Sequence, residues 1–168
     1  MGHLAAEAAL RRVREAFDGR LVLLKGLEIA AYYPVPTDRD FGDVDLLTDE
    51  PERLQATLLA RGWSYLDDAH TDDEPAYQDP RFHHLAPLRS PDGAVVIEVH
   101  RDLGWLTAMT APPLAELLAR TVPSATGIDG VEALDPADHA VYLAVHSWRH
   151  RPFFRPQDPL EVALVIEA

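Results

Sequence analysis

Two aspartates one residue apart, Asp43 and Asp45, lie in the run Gly42-Asp43-Val44-Asp45-Leu46-Leu47. A glutamate, Glu98, interrupts a second apolar run, Val95-Val96-Ile97-Glu98-Val99-His100. Side chains alternate along a strand, so Asp43 and Asp45 emerge on one face, about 6.5–7 Å apart at the backbone, while Val44 and Leu46 turn toward a core. Like charges so placed raise a pKa unless a cation lies between them. A hard divalent ion with oxygen ligands meets that need, and magnesium is the usual choice beside phosphates. In the second run Val95, Ile97 and Val99 share a buried face, which puts Val96, Glu98 and His100 on the other. An acid among β-branched residues is costly to bury without a partner. With the two strands side by side, Asp43, Asp45 and Glu98 form a three-carboxylate cluster of the kind that holds two magnesium ions for in-line phosphoryl or nucleotidyl transfer. Singly, each signal has a plainer reading: a solvated strand end for Asp-x-Asp, the polar face of an edge strand for Glu98.

The elements that must position these groups follow from the patterning. Leu4 to Phe17 has helical spacing of apolar residues, and Asp18-Gly19 stops it. The apolar run Leu21 to Leu24 marks a buried strand; Lys25-Gly26 follows, then a helix over Leu27 to Tyr33 closed by Pro34. Val35 to Phe41 is loop and Asp43 to Leu47 a strand. Asp49-Glu50-Pro51-Glu52 is a helix start in which Asp49 caps and Pro51 occupies the first turn; that helix runs to Ala60. Trp63 to Leu66 reads as a strand. Phe82 to Leu88 and Ala94 to His100 form a hairpin around Ser90-Pro91-Asp92-Gly93. Beyond Trp105 the pattern turns helical: Pro112 to Arg120, Asp135-Pro136 to about Trp148, and a third helix opened by Asp158-Pro159, with room for a short strand pair between Val122 and Ala133. The order predicts an α/β (α+β) fold, a small mixed sheet flanked by helices with a C-terminal helical cap. Residues 1–110 make the core, and 111–168 a helical segment packed on it in a single domain.

Leu23-Leu24-Lys25-Gly26, Tyr33-Pro34, Arg39 and Gly42-Asp43-Val44-Asp45-Leu46-Leu47 together resemble a bacterial nucleotidyltransferase family that carries an LKG turn before a DIDLL strand. Glu98-Val99-His100-Arg101 is similar to its third-carboxylate strand, and Leu143 to His150 to its histidine-rich helix. The resemblance spans roughly residues 20 to 165 and implies a polymerase-β-like palm. It implies that Asp43, Asp45 and Glu98 are the metal-binding and catalytic carboxylates, with Glu98 also a base toward the acceptor hydroxyl. Lys25-Gly26 then lies where the superfamily's glycine-rich turn approaches the triphosphate of an NTP such as ATP, and Arg39 contacts phosphate. The plainer readings are a lysine snorkelling from a strand end and a surface salt bridge for Arg39. Where the wider superfamily has Gly-Gly or Gly-Ser, Leu27 follows Gly26. That departure favours the alternative function, an inactive nucleotidyltransferase-like binding or regulatory module.

His139, His146 and His150 stand at helical spacing, but a zinc site needs a third protein ligand that no spacing singles out from His83, His84 and His100. Substrate contact or polar groups facing a cleft are the simpler readings. Arg149, Arg151 and Arg155, interleaved with Trp148, Phe153 and Phe154, suit a planar base and phosphate, or equally an aromatic-packed helix connection.

Composition narrows the partners. The 168 residues suit one domain, 47% of them are hydrophobic, and there is no cysteine, which removes disulfides, zinc-thiolate sites and cysteine nucleophiles. No apolar run reaches the ~18–20 residues of a membrane span, and the N-terminus lacks a secretory pattern, so a cytoplasmic enzyme is expected. A net charge of −13 repels phosphate backbones, which disfavours a polynucleotide substrate; Asp67 to Glu74 reads as a solvated acidic loop. The expected reaction is therefore magnesium-dependent transfer of a nucleoside monophosphate from an NTP to a hydroxyl of a small molecule or protein. The apolar face of the last helix, Val162, Leu164 and Val165, packs on the domain or on a second subunit as a homodimer.

Overall fold

Apolar alternation places the two runs with the carboxylates at the centre of one sheet, β2 (Val44–Leu47) beside β5 (Val96–His100), paired in parallel. The structure, a computed structural model, describes residues 2–66, 82–105, 110, 112–150 and 155–167, without the side chain of His150. The acidic run Asp67 to Glu74 and the cluster residues Arg151, Phe153 and Phe154 lie outside the described residues. β1 (Val22–Leu23) runs antiparallel to β2 and parallel to β7 (Glu132–Ala133), which pairs antiparallel with β6 (Val122–Pro123). On the other side of β5 come β4 (Leu88–Arg89) and β3 (Ser64–Tyr65), both antiparallel to their neighbours. Among the described residues the sheet has seven strands in the order β3-β4-β5-β2-β1-β7-β6. The expected mixed sheet flanked by helices is what the chain forms.

Each face of the sheet has its own core. Leu23, Val44, Leu46, Ile97 and Val99 face α1 (His3–Ala16) and α3 (Pro51–Ala60), where Leu10, Val13, Leu54 and Leu58 are buried against them. Val22, Leu24 and Leu47 face the other way, toward α2 (Leu27–Ala31), α4 (Leu114–Leu118), α5 (Pro136–His150) and α6 (Gln157–Glu167), where Ile29, Leu118, Tyr142, Leu143 and Val165 are buried. By strand alternation Asp45 shares the face of Leu47, so its carboxylate lies under the C-terminal helices rather than toward α1.

Local chemistry explains most element limits. Asp135 caps α5: its Oδ1 accepts from the amides of Ala137 at 2.9 Å and Asp138 at 3.2 Å. The turn between β4 and β5 closes as Ser90 donates to Asp92 at 2.6 Å and the Gly93 amide to the Ser90 carbonyl at 2.8 Å. Two expectations need correction. Asp49 is not the cap of α3: Glu50 holds that position, its amide donates to the Thr48 hydroxyl at 3.2 Å, and its carboxylate turns to Arg53. The first hairpin strand is shorter than Phe82 to Leu88, because Pro87 has no amide to offer the ladder; upstream of β4 only a lone bridge joins His84 to His100. The strand pair β6–β7 forms as the spacing allowed, and through it residues of the 111–168 segment enter the sheet beside β1. The apolar face of α6 packs inward: Val165 is fully buried and Val162 partly so, while Leu160 and Ile166 are exposed.

Candidate active site

The carboxylates meet where β2 and β5 run in register. Asp45 lies opposite Glu98. His100, two residues further along β5 on the same face, reaches diagonally back and donates from Nε2 to Asp45 Oδ1 at 3.1 Å, while lying 3.7 Å from Glu98 Oε2. His84 Nε2 is 3.8 Å from the same Glu98 oxygen. Asp45 and His100 are buried, with side chains 2% and 3% exposed, whereas Glu98 at 24% remains open to the cleft. Asp43, one residue before β2, is half-buried and lines the same cleft.

Lys25 arrives from the other side of β2. The Leu24 amide donates to the Asp45 carbonyl at 3.0 Å, and His139 Nε2 donates to the Leu24 carbonyl at 2.6 Å. So anchored, the end of β1 points the Lys25 ammonium to 3.6 Å from Asp45 Oδ2 and 3.1 Å from His146 Nε2. Gly26 has φ +65°, and a Cβ there would stand 3.0 Å from the Asp43 carbonyl oxygen; only glycine lets the turn close onto the Asp43 backbone. The Leu27 side chain belongs to the core packed against α1 and α3, so the departure from Gly-Gly or Gly-Ser puts no bulk into the cleft. Arg39 is only 6% exposed. It donates to both carboxylate oxygens of Glu161 at 2.8 and 3.2 Å and to the Gly26 carbonyl at 3.2 Å. The salt bridge weighed for Arg39 is thus real, buried rather than superficial, and it ties α6 to the Lys-Gly turn.

Burial and mutual repulsion split the two aspartates. Burial first, and then the charge of Asp45, push the Asp43 carboxyl up to about 6. Burial works against charge on Asp45 as well, but Lys25 and His100 outweigh it and hold Asp45 well below the usual carboxylate range. His100 is the converse: burial disfavours its cation, yet Asp45 and Glu98 raise it to about 9. His83, further along the wall, is lowered to about 3, chiefly by burial and then by its histidine neighbours.

The donor set fits a divalent cation. One ligand atom each from Asp45, Glu98 and His100 lie within 4.8 Å of one another, and buried Asp45 Oδ2 accepts no hydrogen bond. Of the three carboxylates read from sequence, Asp45 and Glu98 join this group and Asp43 stands beside it. The cleft in front measures about 750 Å³ and is lined also by His146, Ser147 and Arg149 of α5 and by Arg155, so α5 brings the Arg149 guanidinium to the cleft that holds the carboxylates. The helical histidines do not converge: His139 holds Leu24 and His146 meets Lys25, and neither belongs to a group with metal-ligand spacing among the described residues. Sequence reasoning named His100 only as one of several spare histidines. Its place on the face of Glu98 was legible, but its diagonal contact with Asp45 depended on strand register.

No helix among the described residues is long and apolar enough to cross a membrane. No curated protein matches the chain. A family model described as an uncharacterised nucleotidyltransferase matches residues 1–168, and the protein belongs to that nucleotidyltransferase family.

Proposed function

We propose that the chain transfers a nucleoside monophosphate from an NTP to a hydroxyl group of a small molecule or a protein, in a magnesium-dependent reaction. The acceptor oxygen bonds to the α-phosphorus, the bond from that phosphorus to the β-phosphate bridging oxygen breaks, and pyrophosphate leaves. The observation that carries the reading is the pairing of Asp45 with Glu98 across β2 and β5 beside Lys25, in a chain whose family is nucleotidyltransferase. Asp43, Asp45 and Glu98 would hold the metal, which when bound neutralises phosphate charge and lowers the acceptor's pKa.

The protein's own groups supply the rest. Glu98 is open to the cleft where Asp45 is buried, which suits it to take the acceptor's proton. Lys25, held by Leu24 and by His146, is a fixed cation for the phosphates. Gly26 brings the turn's backbone close to them, and Arg39 serves this turn from behind through its hydrogen bond to the Gly26 carbonyl. Arg149 and Arg155, which line the same cleft, add cationic partners for a phosphate-bearing ligand. The acidic chain, at −13, favours a neutral or cationic acceptor over a polynucleotide.

Incubation with each α-labelled NTP and a panel of hydroxyl acceptors, the protein itself included, tests the reading. Label transfer with matching pyrophosphate release is expected. Release of inorganic phosphate instead would mark a phosphohydrolase, and neither product under any condition would favour the inactive binding or regulatory module.

A further inference from the structure

We propose that His100 is itself a metal ligand through Nε2, which makes the centre a mixed nitrogen–oxygen site that prefers manganese(II) to magnesium. The inference rests on the metal-dependent reading of the cleft and concerns which atoms hold the ion. The group of ligand atoms within 4.8 Å is Asp45, Glu98 and His100, a pair of carboxylates with an imidazole in place of a third acid. Nε2 points between the carboxylates, 3.1 Å from Asp45 Oδ1 and 3.7 Å from Glu98 Oε2. Two polar atoms there have no hydrogen-bond partner although buried, Asp45 Oδ2 and His100 Nδ1. A buried carboxylate oxygen left unmatched beside an imidazole is the arrangement expected of a site completed by a cation.

The ring is also placed in advance. The His100 carbonyl accepts from the Thr48 amide at 3.4 Å, and its backbone bridges to His84 on the far side. His84 and His83 rings lie 5.3 and 5.6 Å from it, centroid to centroid, so it is packed as well as paired. Magnesium takes oxygen ligands and keeps several waters. A buried imidazole beside a carboxylate that is 2% exposed suits it poorly, whereas first-row transition ions accept nitrogen readily. Were His100 only the counter-cation of Asp45, the bound ion would carry no nitrogen ligand.

Pulsed electron paramagnetic resonance of manganese(II) bound to the full chain reads this directly. The wild type is expected to show coupling to one histidine nitrogen, changed in pattern when the protein is labelled with 15N-histidine. The coupling should vanish in His100→Gln and persist in His84→Gln and His146→Gln. Manganese affinity should fall roughly 10-fold or more in His100→Gln, with magnesium affinity changed far less. Bound manganese without nitrogen coupling in the wild type would overturn the proposal and leave the carboxylate site standing. Coupling that survives in His100→Gln, or disappears in His84→Gln, would overturn it in favour of another histidine. A folded wild type that binds no manganese would overturn this inference, and one that binds no magnesium either would overturn the metal-dependent reading with it. If His100→Gln fails to fold, an uncoupled wild-type spectrum still overturns the proposal, and a coupling that persists in both His84→Gln and His146→Gln supports it.

Discussion

Two buried ion pairs flank the Lys25-Gly26 turn, and they are built in opposite ways. Arg39 and Glu161 form a closed pair: the guanidinium meets both carboxylate oxygens and the Gly26 carbonyl, and its carbon lies 5.9 Å from the centroid of Phe41. Asp45 sits in an open one. Lys25 stands off at 3.6 Å, His100 takes one oxygen, and the other accepts no hydrogen bond. Burial is nearly equal, 6% for Arg39 and 2% for Asp45. The difference lies in satisfaction: a finished pair fixes geometry, whereas an unfinished one keeps room for a further cation. Buried polar groups are normally paired, so the unmatched oxygen beside Glu98 supports placing the proposed metal there.

The largest effect should come from removing a carboxylate at the open site. Asp45→Asn or Glu98→Gln should lower transfer at least about 1000-fold, about 4 kcal/mol on the barrier, as read by label transfer from an α-labelled NTP. Next comes the closed pair. Glu161→Ala leaves Arg39 buried and unpaired, which costs about 3 kcal/mol or more in urea unfolding; Arg39→Leu with Glu161→Leu should recover much of that loss. If Glu161→Ala left stability untouched while abolishing nucleotide binding, the distinction between the pairs would fail.

Much of this arrangement was legible in the chain because it depends on alternation alone. Val44 and Leu46 against Asp43 and Asp45, and Ile97 and Val99 against Glu98 and His100, assign the faces without any knowledge of partners. Register and distance were not legible. That Asp45 lies opposite Glu98, and that His100 reaches back to Asp45, depend on how β2 and β5 slide past each other. The Arg39–Glu161 pair joins residues 122 positions apart, and no local pattern announces it. Local competition explains the smaller misses: Glu50 took the position read for Asp49, and Pro87 broke the ladder that apolar residues favoured.

A pH series separates the supporting histidine, His139, from the cleft aspartate, Asp43. Burial holds His139 down to about 4, so the unfolded chain binds a proton in the window between 4 and the ordinary 6.5 while the folded chain does not. Its contribution is present above about 6.5 and is lost as pH falls toward 4. Chemical denaturation across that window should show about 2 kcal/mol of this loss, absent in His139→Gln. The smallest effect has the opposite sign. Asp43 is raised to about 6, so its contribution is complete below the ordinary 3.8 and is lost as pH rises through 6. At pH 8 without metal, Asp43→Asn should therefore stabilise the protein by about 1 kcal/mol while removing transfer activity, a trade expected of a group kept for function.

The most direct test of the central claim, that the open carboxylate pair is a metal-dependent nucleotide site, is calorimetric titration. Each NTP would be titrated, with and without divalent metal, into the wild type and into Asp43→Asn/Asp45→Asn. Metal-dependent binding of a triphosphate by the wild type, lost in a double mutant that remains folded, is the predicted result. A folded wild type that binds no triphosphate with any metal, or a double mutant that binds as well as the wild type, would contradict the account.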